Sequence, residues 1–186
     1  MSASRTYRRG LAALVVLAPF ALWTASGDDF LEYRTKHTVV ETVAAVGATQ
    51  DYGGSEWRID RYDTWAGQPP DAGKALTATA LPSGTRLVRV RVALRAKDEA
   101  AVKALDRCTL ELVDGRGRRW NPGAGVTTAR RDVPTRCNGT YDNAPQVAQA
   151  FLFEQDFLVP EDAAGDVDAV IRLAAEKPAR LRLRLR

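Results

Sequence analysis

The chain has 186 residues, with 27 Lys and Arg against 23 Asp and Glu and a formal net charge of +4. Three of those positive charges, Arg5, Arg8 and Arg9, precede every acidic residue, and from Asp28 onward the count is 24 basic against 23 acidic. The excess is therefore not a patch on a folded surface, which excludes a globally cationic nucleic-acid binder; no nucleic acid is expected as a partner.

Residues 1–9 read as a cytoplasmic n-region. An apolar run, Leu11 to Ala25, follows between Gly10 and Ser26-Gly27-Asp28-Asp29. Basic residues before it and acidic ones after it direct the N-terminus to the cytoplasm and the remainder outside. Segment 10–27 is either a transmembrane signal anchor or a cleaved signal peptide. Its length sits at the lower limit of a spanning helix and exceeds the usual signal core of about 7 to 15 residues. Pro19 kinks such a helix without forbidding it, and Trp23 suits the membrane interface. Thr24-Ala25-Ser26 and Ala25-Ser26-Gly27, on the other side, supply the small residues of a cleavage site. The run holds no cysteine, so lipid attachment through one is excluded. Arg8-Arg9 reads as an ordinary n-region in preference to a twin-arginine signal.

Residues 28–37 form a juxtamembrane linker that ends on the lone histidine, His37. Residues 38–186 are long enough for one extracytoplasmic domain with its own core. There the hydrophobic period becomes two, the mark of half-buried strands. Val39 to Val46 is the first predicted strand, Gly47 to Ser55 a loop, Trp57 to Trp65 a second strand, and Gly67 to Gly73 with Pro69-Pro70 a break. Arg86 to Arg95 is the clearest strand. Val88, Val90, Val92 and Leu94 share a core face, while Arg89, Arg91, Ala93 and Arg95 share a wet one. A helical turn is predicted over Lys97 to Leu105. Cys108 to Val113 then enters an Asp-Gly hairpin at Asp114 to Gly117 and returns through Arg118 to Asn121. The Pro-, Gly- and Thr-rich stretch from Asn121 to Ala148 is a long connection. Phe151 to Pro160, Asp166 to Leu173 and the strictly alternating Arg180 to Arg186 complete the set.

Cys108 and Cys137 are the only cysteines. In an oxidising compartment they are expected to pair, tying the long connection back to the sheet; buried free thiols are the alternative. Seven to nine strands with almost no amphipathic helix indicate an all-β fold, an antiparallel immunoglobulin-like β-sandwich preceded by the N-terminal hydrophobic helix.

Tyr52-Gly-Gly, Trp57-Arg-Ile, Leu81-Pro-Ser-Gly-Thr-Arg-Leu-Val-Arg-Val90, Leu110-Glu-Leu-Val-Asp-Gly-Arg-Gly117 and Phe157-Leu-Val-Pro-Glu-Asp162 occur in this order. The pattern resembles the telokin-like, immunoglobulin-fold extracytoplasmic domains of Gram-positive bacterial lipoproteins and membrane-anchored proteins of unknown function. It spans most of residues 38 to 175. The resemblance implies a fold, a surface location and a role in interaction, with no catalytic residues to carry over; this chain departs from the commoner form in lacking a lipidated cysteine.

No catalytic constellation stands out. The one His precedes the first strand and no Gly-x-Ser-x-Gly turn occurs. Glu154 and Asp156 share a strand face as a glycosidase pair would, but on the solvent side of a Phe-rich strand. Asp142-Asn143 or Asp51 with Asp60 offer oxygen ligands for calcium without the spacing of a calcium loop. No metal, cofactor or catalytic residue is therefore expected. Asn138-Gly-Thr140 matches a glycosylation acceptor that a bacterial context makes accidental.

Two surfaces remain. Arg180, Arg182, Arg184 and Arg186, joined by Arg89 and Arg91 if the strands share a sheet, form a candidate anion-contacting patch for an anionic envelope component or an acidic protein partner. Cross-strand pairing with Glu111, Glu154 and Asp156 is the competing reading. Trp57, Trp65 and Trp120 are candidate contact aromatics, although Trp57, Ile59 and Trp65 share the parity of a core face. The function expected is a membrane-anchored, non-catalytic binding or structural module at the cell surface. The alternative is an accessory or sensor subunit of a membrane complex such as a transporter.

Overall fold

The Val-rich alternation of the central strands leaves each with one apolar face, and two sheets bury those faces against one another. The computed structural model describes residues 39–67, 69, 81–123 and 132–186. The expected anchor at 10–27 and the linker at 28–37 with His37 lie outside the described residues. Among those residues, no helix is long and apolar enough to cross a membrane.

The described strands are β1 (Glu41–Ala44), β2 (Gln50–Tyr52), β3 (Ser55–Trp65), β4 (Thr85–Ala96), β5 (Cys108–Asp114), β6 (Arg119–Trp120), β7 (Ala150–Pro160), β8 (Val167–Leu173) and β9 (Arg180–Arg184), with a short helix α1 (Glu99–Ala104) between β4 and β5. They form a five-stranded sheet in the order β1-β9-β8-β5-β6 and a four-stranded sheet in the order β2-β3-β4-β7. Between the two lie Trp57, Val88, Val90, Val92, Phe153 and Phe157 from one sheet and Leu110, Leu112, Ile171, Leu181 and Leu183 from the other. At about 25 cal/mol per Å² of apolar surface removed from water, each of these large side chains contributes about 1.5 to 3 kcal/mol to folding.

The strands fall close to their predicted positions. Two segments read as other structure: the first strand is shorter than Val39 to Val46, and part of the Gly47–Ser55 loop is β2, which turns through Gly53-Gly54 into β3. Both glycines have positive φ, and a Cβ on Gly53 would lie 2.2 Å from Leu173 Cδ1. Only glycine fits that turn. The predicted helical turn is α1, whose first turn is capped by Asp98 accepting from Ala101 N at 2.8 Å.

The antiparallel expectation needs one correction. β1 pairs β9 in parallel, with Glu41 opposite Arg180 and Ala44 opposite Leu183. These strands come from opposite ends of the domain, so the intervening chain serves as the crossover that parallel pairing requires.

A second correction concerns parity. β3 and β4 run in simple register from Ser55 to Ile59, then shift at a bulge between Ile59 and Arg61. A one-residue slip moves every later side chain to the other face. Trp57 is therefore fully buried in the core, with its Nε1 donating to Tyr52 O at 2.9 Å. Trp65 stands opposite Leu87 on the outer face, beside Arg89. The shared core parity read from Trp57, Ile59 and Trp65 is broken by that bulge.

Candidate functional site

The disulfide is present. Cys108 at the start of β5 is bonded to Cys137, 29 positions on, and pins the long connection to the five-stranded sheet. In the chain-entropy model, closing a loop of that size is worth about 3 to 4 kcal/mol.

The six arginines do not share one surface. β4 belongs to the four-stranded sheet and β9 to the five-stranded one, and the outer faces of a sandwich look in opposite directions. On the four-stranded sheet, Arg89 is 3% exposed. It donates to Asp156 through Nε at 2.7 Å and Nη2 at 3.1 Å, and lies 3.2 Å from Glu154 Oε1. Arg91 holds the other carboxylate oxygen of Glu154 at 2.7 and 3.0 Å. The Trp65 ring stacks 5.3 Å from the Arg89 guanidinium. This face was read as wet, yet Leu87, Arg89 and Glu154 are buried on it. Glu154 and Asp156 are therefore counter-ions: Arg89 holds both oxygens of Asp156, and Arg91 closes its fork on one oxygen of Glu154.

On the five-stranded sheet, Arg180 donates to Glu41, and Arg182 donates to Asp168 Oδ2 at 2.8 Å and reaches Glu41 at 3.5 Å. Burial alone would lower the Arg182 pKa, but hydrogen bonding and charge from Asp168 and Glu41 raise it. Arg172 and Arg119 converge on Glu111 at 2.6 and 3.4 Å. Arg184 is exposed, and Arg186 donates to Gly165 O while its guanidinium stacks on Tyr62 at 5.5 Å. A cleft of about 210 Å³ beside Arg186 also includes Arg86 and Glu161, which pair at 2.6 Å. Arg86 is thus paired there, and Arg186 is held by Gly165 O and the Tyr62 ring.

Of the oxygen ligands considered for calcium, Asp51 is paired with Lys97 at 2.8 Å and Asp60 lies 4.0 Å from Arg58. Among the described residues, no three His, Cys, Asp or Glu side chains are grouped to hold a metal ion.

A larger cleft, of about 340 Å³, opens where Cys137 returns to β5. Its polar lining is Asp106, Thr109, Asn121, Arg136, Asn138 and Gln155, and its apolar lining is Leu110, Pro122 and the disulfide. The backbone around it is fixed: Glu154 N donates to Pro134 O at 2.8 Å, Gly123 N to Asp156 O at 3.2 Å and Gly139 N to Arg136 O at 2.9 Å. Gly139 has φ +73 and packs so tightly that a Cβ would meet Asn143 O at 2.1 Å.

Gln155 is the residue that sequence reasoning passed over. The core face of β7 reads Phe151, Phe153, Gln155, Phe157, Val159, and Gln155 stands opposite the buried Val90. A polar residue at a core-parity position was the available signal. Its Nε2 donates to Thr135 O at 2.8 Å, and its Oε1 is buried without a hydrogen-bond partner.

No protein-family model matches this sequence, and no curated protein matches it either. Among solved structures the chain is similar to an uncharacterized β-sandwich protein of Clostridium difficile 630, at 12% identity over 80% of this chain and 96% of that one, with TM-score 0.44. It is also similar to a conserved hypothetical protein of Bacillus anthracis, at 7% identity over 75% and 94%, TM-score 0.48. A third is the yjhA protein of Bacillus subtilis, at 9% identity over 75% and 99%, TM-score 0.49.

Proposed function

We propose that the chain is a non-catalytic binding module, an immunoglobulin-like β-sandwich held outside the membrane by residues 10–27. The observation that carries this reading is the Cys108–Cys137 bond, because structural disulfides persist in oxidising compartments. The charge asymmetry around Leu11 to Ala25 supports the same side of the membrane. The test is protease accessibility of the full-length chain on intact cells, combined with alkylation of its thiols before and after reduction. Digestion from outside, with Cys108 and Cys137 alkylated only after reduction, is the expected result. A protected domain with free thiols would overturn it.

A second reading, an accessory or sensor subunit of a membrane complex, rests on β1. That strand is an edge of the five-stranded sheet, and Val39, Val40, Val43 and Val46 around it are exposed. It follows directly on the linker 28–37, so a membrane-embedded partner is the neighbour within reach. Crosslinking from position 43 in membranes, followed by identification of a stoichiometric membrane protein, distinguishes this reading from a lone surface module.

A further inference from the structure

We propose that the Cys108–Cys137 bond is a site of thiol–disulfide exchange with a dithiol reductant, and that its opening releases residues 132–149 from the edge of β7; this goes beyond the binding-module reading and does not rest on it.

The segment joins the two sheets. β7 is the outer strand of the four-stranded sheet and runs for 11 residues. An edge strand leaves every second residue with its N–H and C=O turned away from its one neighbour. Glu154 is such a residue, and its N–H donates to Pro134 O at 2.8 Å. One position on, Gln155 Nε2 donates to Thr135 O at 2.8 Å. Two residues after Thr135 the chain is bonded to Cys108 on β5, in the five-stranded sheet. Cys108 has the parity of the core residues Leu110 and Leu112, and Cys137 belongs to the same core, so the bond sits between the sheets.

The covalent bond is what holds this strap in place. Residues 132–149 contain no helix or strand, and only Pro134, Cys137 and Pro145 among them are buried. No large apolar side chain pins the segment, and water can replace its hydrogen bonds to β7 at small net loss. Covalent closure over a separation of 29 residues contributes more than those two bonds together. The sheets are the opposite case, because they bury Trp57, Phe153, Phe157, Leu112, Ile171 and Leu181 against one another. Breaking the bond therefore frees the strap and spares the sandwich.

The bond is also within reach of a reagent. Both cysteines lie in the wall of the open cleft of about 340 Å³, and accessible disulfides are the exchangeable ones. Cys137 is 2% exposed and Cys108 is half-buried, which makes the Cys108 sulfur the point of attack. A thiolate of the dithiol bonds to Cys108 Sγ while the electron pair of the Sγ–Sγ bond departs on Cys137 Sγ, which takes up a proton. The second thiol of the reductant then displaces Cys108, which is protonated in turn, and the reductant leaves as its own disulfide. Two electrons and two protons pass from the dithiol to the cysteine pair. Pro134 O and Thr135 O then leave β7, and the four-stranded sheet ends in an uncovered strand.

The test uses the oxidised full-length chain in detergent micelles, with dithiothreitol as the dithiol and no denaturant. Trapping of thiols by iodoacetamide, circular dichroism and amide hydrogen exchange at single residues are followed together. Both thiols are expected to appear while the strand signal is kept. The Glu154 amide should exchange about a hundredfold faster or more, the ratio that loop closure over 29 residues supplies. Val90, Val92 and Ile171 should keep their protection, and reoxidation should restore that of Glu154. Cys108→Ser combined with Cys137→Ser should reproduce the reduced state with no reductant present. A bond that resists dithiothreitol until denaturant is added overturns the proposal. So does a Glu154 amide equally protected in both states. Exchange that rises at Val90 and Ile171 together with Glu154 overturns it as well, since the bond would then be a staple of the whole fold. Each of these results leaves the extracytoplasmic reading untouched; that reading fails instead if the chain taken from cells holds free thiols.

Discussion

Arg89 shows how little a charged letter in a strand says about solvent. Its guanidinium is buried beneath the Trp65 ring and fastened to two carboxylates, each bond charge-assisted. Truncating it leaves Asp156 and Glu154 short of a counter-ion in a place where water cannot replace it. Arg89→Ala is therefore expected to cost about 3 to 5 kcal/mol in urea unfolding. Arg89→Met combined with Asp156→Leu should cost less, because it removes that pair together and leaves Glu154 with Arg91 as its partner. A loss below about 1 kcal/mol in the single variant would show that the network is solvated. The alternating sequence correctly placed Arg89 and Val90 on opposite faces. It carried no information on whether the outer face is covered, because cover depends on residues far along the chain. Gln155 is the converse case: its parity announced a core position, and only the contact with Thr135 O shows why a polar group sits there.

At the scale of elements, the turns were the most legible feature and the strand partners the least. Asp114 to Gly117 marks its hairpin because its residues suit backbone conformations that others resist, whereas Gly53-Gly54 reads only as part of a loop and its hairpin between β2 and β3 is seen in the structure alone. The bulge after Ile59 has a fainter signal: Asp60-Arg61 are two charged residues in succession, which breaks the alternation of Trp57 and Ile59 and puts the next apolar residue, Tyr62, on the other parity. Arg180 to Arg184 declared its two faces, but nothing in the alternation could announce a parallel partner at Glu41 to Ala44. The β5–β6 hairpin gives a test at this scale. Asp114 Oδ1 accepts from Arg116 N at 3.0 Å and Arg118 N at 2.8 Å, and Oδ2 from Arg118 Nε at 2.7 Å. Desolvation pushes its pKa up, but these donors outweigh it and hold the carboxyl below its ordinary 3.8. A depressed folded pKa means stabilisation that is complete above that ordinary value and is lost as pH falls through the lower folded one. The stability difference between wild type and Asp114→Asn should therefore be constant above 3.8 and shrink progressively in more acidic solution. A difference independent of pH would show that the carboxylate charge contributes nothing to the hairpin.

Over the whole molecule, the two sheets are joined by more than apolar contact, and two tyrosines of the four-stranded sheet make the polar ties. Tyr52, at the end of β2, donates its hydroxyl to Ala179 O at 2.9 Å and accepts from Leu173 N at 3.3 Å, which fixes the β8–β9 connection. Tyr62, on β3, donates to Ala164 O at 2.8 Å in the β7–β8 connection. Tyr52 pairs with Ser55, and Ser55 and Tyr62 are seven positions apart on β3. At about 3.3 Å per residue the two ties are therefore separated by about 20 Å or more, toward opposite ends of the sandwich. Desolvation by burial is the chief reason that both phenols have pKa values above the ordinary 10.0; for Tyr62 the nearby Arg186 opposes the shift, and for Tyr52 the Leu173 backbone bond does so. A raised folded pKa gives stabilisation that is fully present below 10.0 and disappears as pH rises through the folded value. Alkaline unfolding should therefore coincide with tyrosinate formation at these two positions. Tyr52→Phe and Tyr62→Phe should each cost about 1 to 3 kcal/mol near neutrality, because each strands a carbonyl that the hydroxyl had satisfied. The ties share no partner, so the double variant should lose the sum to within about 0.5 kcal/mol. It should also lose most of the pH dependence above 10.0. Circular dichroism and tyrosinate absorbance, followed through the same alkaline titration, check both statements. If the double variant kept the wild-type alkaline transition, the loss of structure at high pH would have to come from groups other than these two bridges.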